Sequence, residues 1–275
     1  MDNAVSRHSL RRRSEGAHIK LMGNVMLKTS MLAAVALLTA GSASAQEWSG
    51  FYVGGNVSNS SGDSSSDVVT GGAWAGESAT LRNGFEDLLS ASLDPEGTGF
   101  GVQAGYNWTL TDHVVVGVEG SYAQLGADDG RAPGQTATPF GPSPTYAPVN
   151  SIEADGQFNL RGSLGYDFNP LLAYVTFGYS TVDATASTEV LSSAGYSKAG
   201  GDSDWVGGFS YGVGAAMRFG GPWSARLEYS HTEYDDMTYD LAYRPGSTFV
   251  SPAYTERVTQ SLELDTIQLG VNFHF

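Results

Sequence analysis

The last ten residues, Thr266 to Phe275, constrain this chain more than any other stretch. Ile267, Leu269, Val271, Phe273 and Phe275 alternate strictly with Thr266, Gln268, Gly270, Asn272 and His274. A period of two marks a strand with one apolar and one polar face. The strand runs to the final residue and ends in aromatic rings on its apolar face. An apolar strand at a sheet edge invites aggregation, and pairing the last strand with the first removes that edge. With lipid outside, apolar-out and polar-in is the pattern a closed sheet must have. The soluble alternative is the edge strand of a β-sandwich.

A length of 275 residues suits one barrel or two small domains. There is no Cys, which rules out disulfides and thiolate metal sites. The 36 glycines and a charged fraction of only 16% fit strands and turns better than a helical bundle. The formal net charge is −15, and loss of residues 1–45, with six Lys+Arg and two Asp+Glu, leaves 8 basic and 27 acidic residues, a net of −19 that excludes binding to nucleic acid through its phosphates. It also repels the chain from a bare anionic surface unless divalent cations intervene.

The N-terminus reads as a targeting segment. Lys28 precedes the apolar run Met31–Leu38, and Ala43-Ser44-Ala45 stands before Gln46 as a small-x-small cleavage site. The run is shorter than the ~20 residues of a membrane-spanning helix. Residues 1–45 are therefore expected to be extension and signal peptide, cut between Ala45 and Gln46, with residues 46–275 the mature barrel. Translation from Met1, Met22 or Met26 is compatible with this. Arg11-Arg12-Arg13 lacks the context of a folded-export signal, so ordinary secretion is expected.

Eight alternating segments follow, near residues 48–57, 100–108, 114–124, 157–168, 172–181, 207–219, 223–229 and 266–275. Tight turns are predicted at Thr109–His113, Asn169-Pro170 and Gly220-Gly221-Pro222. Polar loops are predicted at Ser58–Gly99, Ala127–Ser151, Val182–Asp204 and Asp235–Gln260. Within the first, Phe85–Leu89 has the residues for a helical turn or two, though a mobile loop is expected, and Val68–Trp74 for a strand above the bilayer. Ala132–Pro148 is read as a Pro-rich disordered loop, with an extended recognition segment as the alternative. Short connections on one side and long ones on the other give an all-β, eight-stranded antiparallel transmembrane β-barrel with short periplasmic turns and long extracellular loops. Leu262 and Leu264 break the pattern, because they share parity with the inward polar residues. A bulge near Asp265, or packing above the membrane, would reconcile them.

The aromatic residues agree independently. Trp108, Phe168, Phe219, Trp223 and Phe273 fall on outward faces near short turns, and Tyr122, Tyr179 and Tyr229 on outward faces near long loops. Val114 to Tyr122 covers ~26 Å of strand, or ~20 Å of height at a ~40° tilt. That is close to the ~25 Å apolar band between aromatic girdles.

The stretches Gln46–Asn56 (QEWSGFYVGGN), Gly99–Trp108 (GFGVQAGYNW) and Ile267–Phe275 resemble the small outer-membrane β-barrel family, the surface antigens of alpha-proteobacteria often labelled porin family. The resemblance covers essentially all of residues 46–275. It implies location in the bacterial outer membrane, among its lipid and lipopolysaccharide. It also implies delivery by periplasmic chaperones to the outer-membrane assembly machinery, which reads the terminal strand through Phe273 and Phe275. Members are mostly structural, adhesive or immunogenic, and a few bind haem. The periplasmic peptidoglycan-binding domain of larger relatives is not expected here.

Four inward charges, Glu119, Arg161, Arg226 and Glu228, lie at similar heights counted from the short turns. They are read as a plug that satisfies its own charges, with a gate or proton path as the alternative. Arg218 lies nearer the periplasmic mouth. Ser230-His231-Thr232-Glu233 holds hydrolase residue types, but Ser230 and His231 are adjacent and so point to opposite faces. Catalysis is not expected. Asp128-Asp129, Asp202/Asp204 and Asp235-Asp236 lack the spacing of a calcium loop and read as solvated acidic loops. No cofactor or metal is expected. The functional expectation is a structural or cell-surface role, in adhesion or as an antigen, with a side-chain-filled lumen. The alternatives are a narrow pore for ions or small solutes, and a surface receptor for a host molecule or haem.

Overall fold

The computed structural model describes residues 48–138 and 141–275. The signal segment and its cleavage site at Ala45 and Gln46 lie outside the described residues. Among the described residues there are eight long strands: β1 Gly50–Gly72, β2 Glu96–Thr109, β3 Val114–Arg131, β4 Gly141–Asp167, β5 Leu171–Ser192, β6 Ser197–Arg218, β7 Trp223–Asp240 and β8 Tyr254–His274. Each pairs antiparallel with its neighbours in sequence. β8 returns to β1 with Tyr52 opposite His274 and Gly72 opposite Tyr254, closing the ring. Three shorter strands, Ala91–Leu93, Thr136–Thr138 and Ala242–Tyr243, add to β1, β4 and β6.

A strand crosses a bilayer in about 9–11 residues. These run from 14 in β2 to 27 in β4, so the barrel wall stands well above the membrane. The two parts of the wall obey opposite rules. In the lower part, Phe51, Val53 and Val57 point out of β1 while Tyr52, Asn56 and Ser58 are buried inside. Further along β1 the outward residues become Ser61, Asp63 and Ser65, all exposed, and Val68 turns inward and is buried. The lower part is apolar outside and polar inside, as lipid demands. The upper part is built like a water-soluble protein.

What fills the upper part is a helix. Ser78 caps α1, Ala79–Leu89, by accepting the Leu81 amide at 3.2 Å. Leu81, Phe85, Leu88 and Leu89 follow helical spacing and form its apolar stripe. Phe85 and Leu89 are completely buried, against Leu125, Ile152, Val182, Leu262 and Leu264 from the barrel wall. Asn150, itself buried in β4, donates to the Leu89 carbonyl at 3.3 Å.

Several sequence expectations are corrected here. Phe85–Leu89 belongs to a packed helix, not a mobile loop. Val182–Asp204 is a continuous hairpin in which β5 and β6 pair from Leu191–Ser197 downward. The Pro-rich Ala127–Ser151 is mostly strand, and Pro148 is buried in β4 opposite Val190. Asp235–Gln260 is strand at both ends, in β7 and β8. The Asp pairs sit on strands β3, β6 and β7 instead of in loops. Bulges explain why alternation misled: Leu125-Gly126 faces one residue of β4, and Asp235-Asp236 faces one residue of β8. Leu262 and Leu264 need no bulge at Asp265, since β8 stays in register with β7 from Leu262 to Phe273. They point inward into the upper core, which is the packing-above-the-membrane alternative.

Candidate functional site

The four inward charges meet at the middle of the lower lumen. β3 and β4 pair with Glu119 directly opposite Arg161. Arg161 Nη2 donates to Glu119 Oε1 at 3.0 Å, and its Nη1 reaches Glu228 Oε1 across the barrel. Arg226 Nη1 donates to the other oxygen of Glu119. The result is an alternating chain, Glu228–Arg161–Glu119–Arg226, with two charges of each sign. Each of the four side chains is under 10% exposed. Burial of charge is tolerated only where partners replace the lost water.

Two tyrosines and a glutamine complete that replacement. Tyr52 donates to Glu119 Oε2 at 2.8 Å, Tyr174 to Glu228 Oε2 at 2.9 Å, and Gln268 Nε2 to Glu228 Oε1 at 2.9 Å. Both phenols reach their carboxylates by lying across a glycine of the adjacent strand. Tyr52 faces Gly105 and Tyr174 faces Gly214. A Cβ on Gly105 would come within 2.4 Å of the Tyr52 hydroxyl, and one on Gly214 within 2.5 Å of the Tyr174 ring. The sequence placed all four charges on inward faces, but it could not supply these partners. A tyrosine opposite a glycine is visible only once strand register is known.

The rest of the lumen is filled in the same way. Asn56 donates to Gln103 at 2.6 Å, and Gln103 to Asn272 at 2.8 Å. Arg218 lies at the periplasmic mouth with its guanidinium 5.0 Å from the Trp48 ring centre. The cavity beside the ionic chain measures about 40 Å³. That is room for a few waters and no more.

A second buried ion pair lies in the upper part. Lys198 of β6 meets Glu256 of β8, both almost fully buried. Trp74 Nε1 donates to Glu256 at 2.6 Å, Tyr196 hydroxyl donates to the same oxygen, and Lys198 also donates to the Tyr254 carbonyl at 2.6 Å. Burial, then the Glu256 charge, pushes the Tyr196 phenol far above its ordinary pKa. Sequence reading missed this pair because both residues lay in segments taken as loops.

The hydrolase-type residues do not converge. Ser230 is buried inside while His231 faces out, its Nδ1 2.8 Å from Asp265 Oδ1 and its Nε2 3.6 Å from Glu233. The hydroxyl beside this pair is that of Tyr229, which donates to Asp265 at 2.6 Å. Among the described residues no group of three or more His, Asp or Glu gathers to hold a metal.

A closed antiparallel ring with an aromatic-girdled lipid face and a polar lumen defines an integral β-barrel of the bacterial outer membrane. The sequence profile of the outer membrane protein beta-barrel domain matches residues 30–275, and the chain belongs to that family. It is 26% identical over 210 residues to the 25 kDa outer-membrane immunogenic protein of Brucella canis, covering 74% of this chain and 80% of that one. It is 27% identical over 237 residues to the 22 kDa outer membrane protein of Rhizobium leguminosarum bv. viciae, covering 84% and 80%. Among solved structures, Neisserial surface protein A aligns over 82% of this chain and 98% of its own, at 13% identity and a TM-score of 0.36.

Proposed function

We propose that this barrel acts at the cell surface, as a structural element and an exposed adhesive or antigenic surface, and not as a pore or an enzyme. The observation that carries this reading is a double closure. The chain Glu228–Arg161–Glu119–Arg226 fills the lower lumen, and α1 with its apolar core fills the upper one. What remains for display is the tall outer wall, rich in Ser, Thr, Asp and Glu, together with the connections at its rim. The relatives in Brucella carry the name immunogenic, which fits a wall standing clear of the lipid. The outward His231 pairs with carboxylates while the adjacent Ser230 is buried on the opposite, lumen face, so no serine nucleophile of the kind such a hydrolase needs is aligned with it. Planar-bilayer recording tests the reading: the purified barrel should be electrically silent, and stable single-sized openings would replace it with the pore.

The mature chain is expected to begin at Gln46, since Ala43 and Ala45 form the cleavage site and Trp48 is already buried in the periplasmic mouth. N-terminal sequencing of protein from outer-membrane fractions should return Gln46. Recovery of Met26 or anything upstream would show that the segment is retained.

A further inference from the structure

Above the apolar core, the segment after β1, the start of β4, the β5–β6 turn and the β7–β8 connection enclose a cavity of about 240 Å³. Trp74, Tyr146, Tyr196 and Tyr254 line it, and Phe249 stands with them, more than half exposed. The rings are set as a box and not as a stack. Trp74 and Tyr254 meet edge-on at 4.9 Å, and Tyr196 stands at 85° to Tyr254. Phe249 adopts φ +59°, a backbone region that a bulky side chain enters only under strain.

Among the described residues, Glu77 is the only charged one lining the cavity. It accepts the Tyr254 hydroxyl at 2.8 Å and makes no ion pair among the described residues. The other carboxylate nearby, Glu256, is already neutralised by Lys198 behind the box. The phenols register the Glu77 charge. Tyr254 is held above its ordinary pKa first by its bond to Glu77, and Tyr146 first by burial and then by that charge.

We propose that this cavity binds a small organic cation, an alkylated ammonium group, held by the aromatic faces and by the charge of Glu77. Aromatic faces attract such cations through the ring quadrupole, and desolvation strengthens the attraction. A metal ion would need several oxygen ligands, and one carboxylate among rings does not supply them. An anion would be repelled by Glu77, and a neutral apolar ligand would gain nothing from burying it. The volume lies just below the ~300 Å³ at which drug-sized pockets begin, so it fits a headgroup-sized ligand. Residues 46–275 hold 27 Asp+Glu against 8 Lys+Arg, and this negative excess raises the local concentration of cations around the barrel.

Calorimetric titration of the purified mature barrel with choline tests this, beside its neutral isostere 3,3-dimethylbutanol and beside glycerophosphocholine. Saturable choline binding is expected, with the isostere weaker by roughly tenfold or more, the scale of one lost charge contact. Glu77→Gln should cut that preference severalfold while the variant keeps the heat-modifiable gel mobility of a folded barrel. Tyr254→Phe, which keeps the ring, should retain most of the binding. If glycerophosphocholine binds as well as choline, the cation belongs to a lipid headgroup. If only choline binds, it is a free solute. Equal binding of choline and the isostere, no saturable binding of choline, or an unchanged preference in folded Glu77→Gln would each overturn the proposal.

Discussion

Leu264 and Thr266 lie two residues apart on the same inward face of β8, yet they belong to opposite kinds of interior. Leu264 is buried with Phe85 and Leu89 in the apolar upper core. Thr266 is buried too, but it exchanges a hydrogen bond of 2.9 Å with Ser60, its partner on the adjoining strand β1, in the polar lining of the lumen. Between them, on the outer face, Asp265 replaces the Ile267 and Leu269 series. One step along the strand thus inverts both faces together. The solvent outside changes from lipid to water there, and each interior is the complement of its own solvent.

The two interiors should therefore fail separately. Leu264→Ala removes a fully buried side chain and should cost about 2–5 kcal/mol of upper-core stability. Amides of α1 and the upper halves of β1 and β8 should lose protection from hydrogen exchange. Amides below Thr266 should keep theirs. Uniform loss of protection over the whole of β8 would show one cooperative unit in place of two.

The lower barrel was legible in the sequence because lipid enforces contrast: Phe51, Val53 and Val57 against Tyr52, Asn56 and Ser58 is a difference that survives counting by twos. The upper barrel was not. On β5 the inward Ala184 and Ala186 differ from the outward Thr185 and Ser187 by little more than a hydroxyl, and a small-residue interior leaves room for α1. Bulges at Leu125-Gly126 and Asp235-Asp236 then shift the parity. The helix was masked by Gly84 in its middle and by its short length. Of the lumen site, the charges were readable from parity alone. Tyr52 and Tyr174 were not assigned, because their contacts depend on Gly105 and Gly214 of other strands.

The Lys198–Glu256 pair fastens β6 to β8 and, through Trp74, to the segment entering α1. Lys198→Met alone leaves Glu256 buried without its cation and should cost about 3–5 kcal/mol. Lys198→Met with Glu256→Gln removes the charge altogether and should recover most of that loss. Protease susceptibility of the residue 73–90 segment follows both. If the double variant is no better than the single one, the pair contributes through geometry and not through charge balance.

Phe275 closes the barrel at its periplasmic rim. Its amide donates to the Phe51 carbonyl at 2.9 Å, and its ring packs 5.6 Å from Phe51 and 5.2 Å from Phe273. Deleting it removes one lipid-facing ring, worth about 1.5–3 kcal/mol. A barrel paired along the whole of β1 and β8 should survive that when refolded in detergent. In cells the deletion should lower the outer-membrane level far more, if the assembly machinery reads this terminal ring. Normal levels in the outer membrane would mean that Phe275 is not a recognition residue.

The last prediction concerns conduction. Eight strands leave an interior that side chains can fill, and here two unlike closures fill it in series. Arg161→Ala with Arg226→Ala removes both cations of the ionic chain, but Phe85, Leu89 and the upper core still stand above the gap. That variant should stay silent in planar bilayers. Replacing residues 73–90 by a flexible linker should also stay silent, because the chain Glu228–Arg161–Glu119–Arg226 remains intact below. Only the combination should give brief openings, since only it leaves a hydrated path from one mouth to the other. Openings in the arginine variant alone would show that the upper core is permeable and that the ionic chain is the whole of the closure.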